Sequence, residues 1–120
     1  LGGTLAWWAS TLSINIPIGS WNLSYQGTCR FDSNVSGARS TFVNLASSAT
    51  WDISDYLVSR YYIASAVTVI GTYARSNTVD LASATTYTLY GGIDSATGTE
   101  TWAPTGSQGG ITIAAECAYL

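Results

Sequence analysis

The sequence predicts an all-β fold, and three observations carry that prediction. Apolar residues recur at every second position in nearly every segment, the period of a half-buried strand. No stretch shows the three-and-four spacing of an amphipathic helix. Clusters of Gly, Ser, Asn, Asp and Pro punctuate the alternating runs at fairly regular spacing, as in β-sandwiches and jelly rolls. With 120 residues the chain fits one domain able to bury a core of its own.

Each element follows from its own pattern. Leu12, Ile14 and Ile16 mark a first strand ended by Pro17 and Gly19. Trp21, Leu23, Tyr25, Cys29 and Phe31 mark a second, followed by a polar turn, DSNVSG at 32–37. RSTFVNLA, from Arg39, reads as a third strand, and 47–60 as a loop. YYIASAVTVIGTY, from Tyr61, is the longest β-branched and aromatic run; its large and small residues on both parities suit a strand covered on two sides. RSNTVDLASATT carries turn residues, TYTLYGGI reads as a strand, and 94–110 as a long glycine-bearing loop. The closing strand places Ile111, Ile113, Ala115 and Cys117 on the core side. Thr112, Ala114, Glu116 and Ala118 form the other, small-residue face, on which Glu116 calls for an arginine partner.

Charge narrows the function classes. There are four arginines, seven acids, no lysine and no histidine, for a net charge of -3. Nucleic-acid and anionic-membrane partners need clustered cations, which this composition does not supply. Without histidine or lysine, a Ser-His-Asp triad and a Schiff-base lysine are impossible, and no GxSxG, P-loop or dinucleotide motif is present. The chain therefore reads as a non-enzymatic module that calls for no cofactor and no metal. The two cysteines, Cys29 and Cys117, are too few for a zinc site and are expected as buried free thiols rather than as a bridge. An immunoglobulin arrangement is disfavoured, because the cysteines lie 88 positions apart and no Tyr stands two residues before Cys117.

Periodicity alone does not choose among sandwich types. INIPIGSWNLSYQG at 14–27, YYIASAVTVIGTY, LASATTYTLYGG at 81–92 and the closing ITIAAECAYL together resemble the small C-terminal head domains of bacteriophage tail fibres. Their strand order is similar to that of the C1q and tumour-necrosis-factor jelly rolls. The resemblance implies a jelly-roll-type antiparallel β-sandwich over 11–120 that assembles as a homotrimer, with 1–10 as the end of an upstream stem or linker. It also implies a place at the distal end of a virion fibre and a host-surface receptor as partner. The missing initiator Met fits a natural start upstream.

Loop aromatics and acids are the candidate ligand contacts. Trp51 and Trp102 sit among turn residues with Asp52, Asp55, Tyr56 and Asp94 near them in sequence. A flat indole packs on the C–H face of a sugar while carboxylates and hydroxyls bond its hydroxyl groups, so a cell-surface glycan is the expected ligand. Ala114, Glu116 and Ala118 are the expected trimer contacts. Two other readings are a purely structural domain that trimerises, caps a fibre or decorates a capsid, and a carbohydrate-binding module of a bacterial protein. The pairs Asp52/Asp55 and Asp94/Glu100 have the composition of a glycosidase pair, and Asp52 with Asp55 that of two calcium ligands, but acids in loops ordinarily cap turns.

Overall fold

The computed structural model describes residues 5–48, 57–94, 99–104 and 110–118, with side chains of 5–7, 34–36 and 63–67 left aside. Among these residues there are six strands: β1 (Leu5–Ile16), β2 (Gly19–Ala46), β3 (Val58–Leu81), β4 (Thr85–Asp94), β5 (Glu100–Ala103) and β6 (Gly110–Cys117). All pairings are antiparallel.

The frame is one long hairpin. β2, of 28 residues, and β3, of 24, pair from Gly19↔Leu81 to Asn44↔Val58, with register shifts between Asp32 and Gly37 and again before Arg39. At those irregularities the hairpin passes from one layer to the other, because a bulge bends a strand and raises its local twist. Along the other edge of β2, β6 pairs residues 21–28, β5 pairs 30–33 and β4 pairs 41–46, while β1 flanks β4. One layer is thus β6, the first half of β2 and the second half of β3. The second is β1, β4 and the remaining halves. The protein is an all-β sandwich of two antiparallel layers.

Large side chains fill the space between the layers. Leu23, Tyr25, Cys29, Phe31, Val69 and Tyr73 from the first layer meet Val43, Leu45, Tyr87, Leu89 and Ile93 from the second, all nearly or fully buried. Burying each such side chain contributes roughly 1.5–3 kcal/mol. The tyrosines also tie the layers by hydrogen bonds. Tyr25 Oη donates to the Val43 carbonyl at 2.8 Å and lies 2.9 Å from Ser59 Oγ, and Tyr73 Oη bonds the Thr41 hydroxyl. A ring long enough to cross the core thus satisfies its polar tip on the far side. Burial raises the pKa of both phenols, so each stays neutral as a donor.

Several boundaries differ from those read in the sequence. β1 starts at Leu5 and pairs Asp94 there, so Leu5 to Ser10 are sheet rather than stem, and Trp8 packs against the core. DSNVSG does not turn the chain back; it is the bend inside β2. RSNTVDL is the end of β3, with Val79 buried and Ser76, Thr78 and Asp80 exposed. The strand buried on both faces is not YYIASAV, since Tyr61 and Tyr62 are exposed. It is 41–46 of β2, where Phe42, Asn44 and Ala46 are buried as well as Val43 and Leu45.

Both cysteines are free, but only Cys29 is buried; Cys117, on the core parity, is exposed because it stands at the end of β6. Burial pushes the Cys29 thiol up to about 11, against a partial opposing effect of the Trp102 N–H bonded to its sulfur. At pH 8 one equivalent of a thiol reagent is therefore expected to react quickly and the second only on unfolding. Cys117→Ser should abolish the fast equivalent. Two fast equivalents in the wild type would contradict this assignment.

Candidate binding surface

The outward face of the first layer is built from the polar parity of three strands. The register sets Glu116, Asn22 and Thr78 in one row, Ala114, Ser24 and Ser76 in the next, and Thr112, Gln26 and Ala74 in the third. The side chains are short because the alternation that sends Leu23, Tyr25 and Tyr73 inward sends Ser, Thr, Asn and Ala outward. Small residues in adjacent rows leave a dip. An open groove of about 430 Å³ lies there, lined by Ser24, Tyr25, Gln26, Ala74, Arg75 and Ser76. The outward-parity residues give it two hydroxyls and an amide, with the Ala74 methyl between them, while Tyr25 and Arg75 are paired on the opposite parity. Such a set donates to and accepts from vicinal hydroxyls and leaves room for a flat ring.

The residues picked out from the sequence are distributed differently. Trp51, Asp52, Asp55 and Tyr56 lie outside the described residues. Asp94 is buried at the end of β4, 7 % exposed. Trp102, in β5, folds back onto the sandwich. Its ring stacks on Phe31 at 5.9 Å and 18°, and its Nε1–H donates to Cys29 Sγ at 3.3 Å. It serves as a plug between strands, and because its ring lies with Phe31 on the inward parity while the Ser24 groove opens on the outward face, the two do not form one site. Ala114, Glu116 and Ala118 are all exposed, as trimer contacts must be in a free subunit. The arginine expected for Glu116 is not supplied within the described chain.

Acids elsewhere are held structurally. The Arg30 Nε–H donates to Asp32 at 2.7 Å and, with the Thr68 hydroxyl, holds that carboxyl below its ordinary range. Ser33 Oγ donates to Glu100 at 2.7 Å, closing β5 onto β2, and Ser20 donates to Asp80. Among the described residues no three His, Cys, Asp or Glu side chains gather as metal ligands.

The sequence did not single out Ser24, Gln26 or Ser76. The available signal was the polar parity of WNLSYQG and YARSNT, but only the pairing Ser24↔Ser76 and Gln26↔Ala74 makes it a groove. Fold and surface together define a β-sandwich module with an open polar groove on one sheet. Comparison with protein-family models, with curated proteins and with solved structures yields no match. The functional reading therefore rests on the chain's own geometry and on the resemblance noted above.

Proposed function

We propose that this domain is a receptor-binding head of jelly-roll type, carried on a virion fibre, that attaches to a host-surface glycan as a homotrimer. The observation that carries the reading is the groove on the first layer. Ser24, Gln26 and Ser76 supply hydroxyl and amide groups for sugar hydroxyls, and the Ala74 methyl offers an apolar spot for a C–H face. The exposed Ala114, Glu116 and Ala118 on β6 suit subunit contact, since short side chains let two sheets approach closely.

Glycan arrays and whole-cell adsorption with the purified protein test the binding half. Ala74→Trp should fill the groove and abolish binding without loss of stability, because Ala74 is exposed. Gln26→Ala should weaken binding by about fivefold, the equivalent of one net hydrogen bond of about 1 kcal/mol. Blank arrays together with absent adsorption, or an Ala74→Trp variant that binds as the wild type does, would sink the proposal. Light scattering tests the assembly half, with three copies per particle as the expected mass.

A further inference from the structure

On the outward face of the first layer, the polar side chains of β2 and β3 bond one another at both ends and stay open between. At one end Ser20 donates to Asp80. Toward the other, the hydroxyls of Thr28 and Thr72 lie 3.2 Å apart, and beyond them Asp32 accepts from Arg30 and Thr68. Three rows lie between: Asn22↔Thr78, Ser24↔Ser76 and Gln26↔Ala74. Among the described residues, no hydrogen bond engages the side chain of Asn22, Ser24, Gln26, Ser76 or Thr78. Directly opposed hydroxyl side chains are within reach of each other in a sheet, as Thr28 and Thr72 show. Ser24 and Ser76 stand in the same relation without closing, so their donors and acceptors face solvent.

The open rows reach beyond the groove, whose lining stops at Ser24 and Ser76. Asn22 and Thr78, both exposed, continue the same strip. From Asn22 to Gln26 it extends about 13 Å along the strands, on two strands about 5 Å apart. A strip longer than it is broad fits a chain of sugar rings laid lengthwise better than a single ring.

Charge indicates which sugars. The strip holds no charged side chain, and its near neighbours on the same face are carboxylates: Asp80 one row past Thr78, and Glu116 beside Asn22 on β6. Arg75 borders the groove, but it is on the inward parity, has an interaction of its own and acts on the Tyr25 phenol. A carboxylate or sulfate on a ligand would lose water there, find no cation on the strip and meet like charge beside it. Sugar hydroxyls and acetamido groups are instead matched by the hydroxyls and amides present.

We propose that this strip is the full footprint of an uncharged oligosaccharide laid along β2 and β3, with Asn22 and Thr78 as contacts beyond the groove and Asp80 turning anionic glycans away. It rests on the glycan half of the reading above, and it leaves β6 to the neighbouring subunit.

An array of neutral, carboxylated and sulfated oligosaccharides, probed with the wild type, Asn22→Ala, Thr78→Val, Asp80→Asn and Thr28→Val, tests it, with circular dichroism and thermal melting confirming the fold of each. The wild type should prefer neutral oligosaccharides to charged ones and to single sugars, with an affinity insensitive to salt. Asn22→Ala and Thr78→Val should each weaken that binding by about fivefold, the equivalent of one net hydrogen bond. Thr28→Val, in the closed row outside the strip, should leave it unchanged. Asp80→Asn, which keeps an acceptor for Ser20, should narrow the preference against anionic glycans. A wild type that binds anionic glycans best, neutral binding untouched by both Asn22→Ala and Thr78→Val, or a Thr28→Val loss as large as theirs would overturn the footprint while leaving the glycan reading standing. An array blank in every class, with no adsorption to cells, would overturn both.

Discussion

Gly27→Val is expected to cost about 3–5 kcal/mol of stability, enough to lower the melting temperature by roughly 15–30 °C in a domain of this size. Gly27 has φ of +146°, a conformation that side chains rarely adopt and that costs of order 1–3 kcal/mol when they do. Space is the larger obstacle. A Cβ on Gly27 would stand 1.9 Å from the Gly110 carbonyl oxygen and 2.7 Å from Ile111 Cα, both main-chain atoms of β6. Gly27 and Thr28 pair Ile111 and Gly110 at the very start of that strand, so the added atom pushes β6 off β2 where pairing begins. Ile111, buried in the core, is lifted with it. Gly27→Ala already has the offending atom and should destabilise in the same direction. Gly110→Ala is the control: nothing lies within 4 Å of its Cβ, and its effect should stay near or below 1 kcal/mol. Thermal and urea denaturation distinguish the three, and a Gly27→Ala variant melting with the wild type would refute the account.

Glycines of this kind show where the sequence is readable and where it is not. The period of two exposed the fold class directly: Leu23, Tyr25 and Phe31, or Tyr87 and Leu89, alternate cleanly because one face of each strand meets the core. Strand length was less legible. DSNVSG has the composition of a turn, yet a bend between layers and a turn between strands both need short polar residues, and only tertiary pairing separates them. RSNTVDL looks like a turn for a similar reason. Its outward residues are Ser, Thr and Asp because that face of the sheet is exposed, and β2 supplies the pairing that holds them extended. The exposure of Cys117 was hidden because parity gives a side but not a depth, and the end of an outer strand is shallow. For the candidate surface, the small-residue face of β6 was legible from one strand alone. The groove was not, since its two halves are far apart in sequence and meet only through the Ser24↔Ser76 and Gln26↔Ala74 register. A lone tryptophan among turn residues is also ambiguous, because the same indole serves a ligand or plugs a seam, and the neighbour that decides at Trp102 is a glycine 11 positions away.

That glycine makes the role of Trp102 testable. A Cβ on Gly91 would lie 2.4 Å from Trp102 Cδ2 and 2.5 Å from Cε2, so the indole occupies the place of a missing side chain on β4. The same ring stacks on Phe31 and donates to the Cys29 sulfur, linking β5 to both layers. Trp102→Ala should therefore cost about 3 kcal/mol, the low end of the range for emptying a buried aromatic site, because the indole is partly buried. Gly91→Ala should cost about 1–3 kcal/mol by overpacking against a ring that has no flexible end to yield. In the double variant the added methyl enters space that the indole has left, so the second change should cost much less than it does alone. A coupling of about 1–3 kcal/mol in that sense is expected from urea denaturation of the four proteins. Loss of the indole should also open Cys29 to thiol reagents at pH 8, a readout that a general loosening away from the seam would not move. Were Trp102 instead a solvent-facing platform for sugar, neither single change would touch stability and the two would be strictly additive. The cycle thus separates a structural plug from a ligand contact without requiring the ligand.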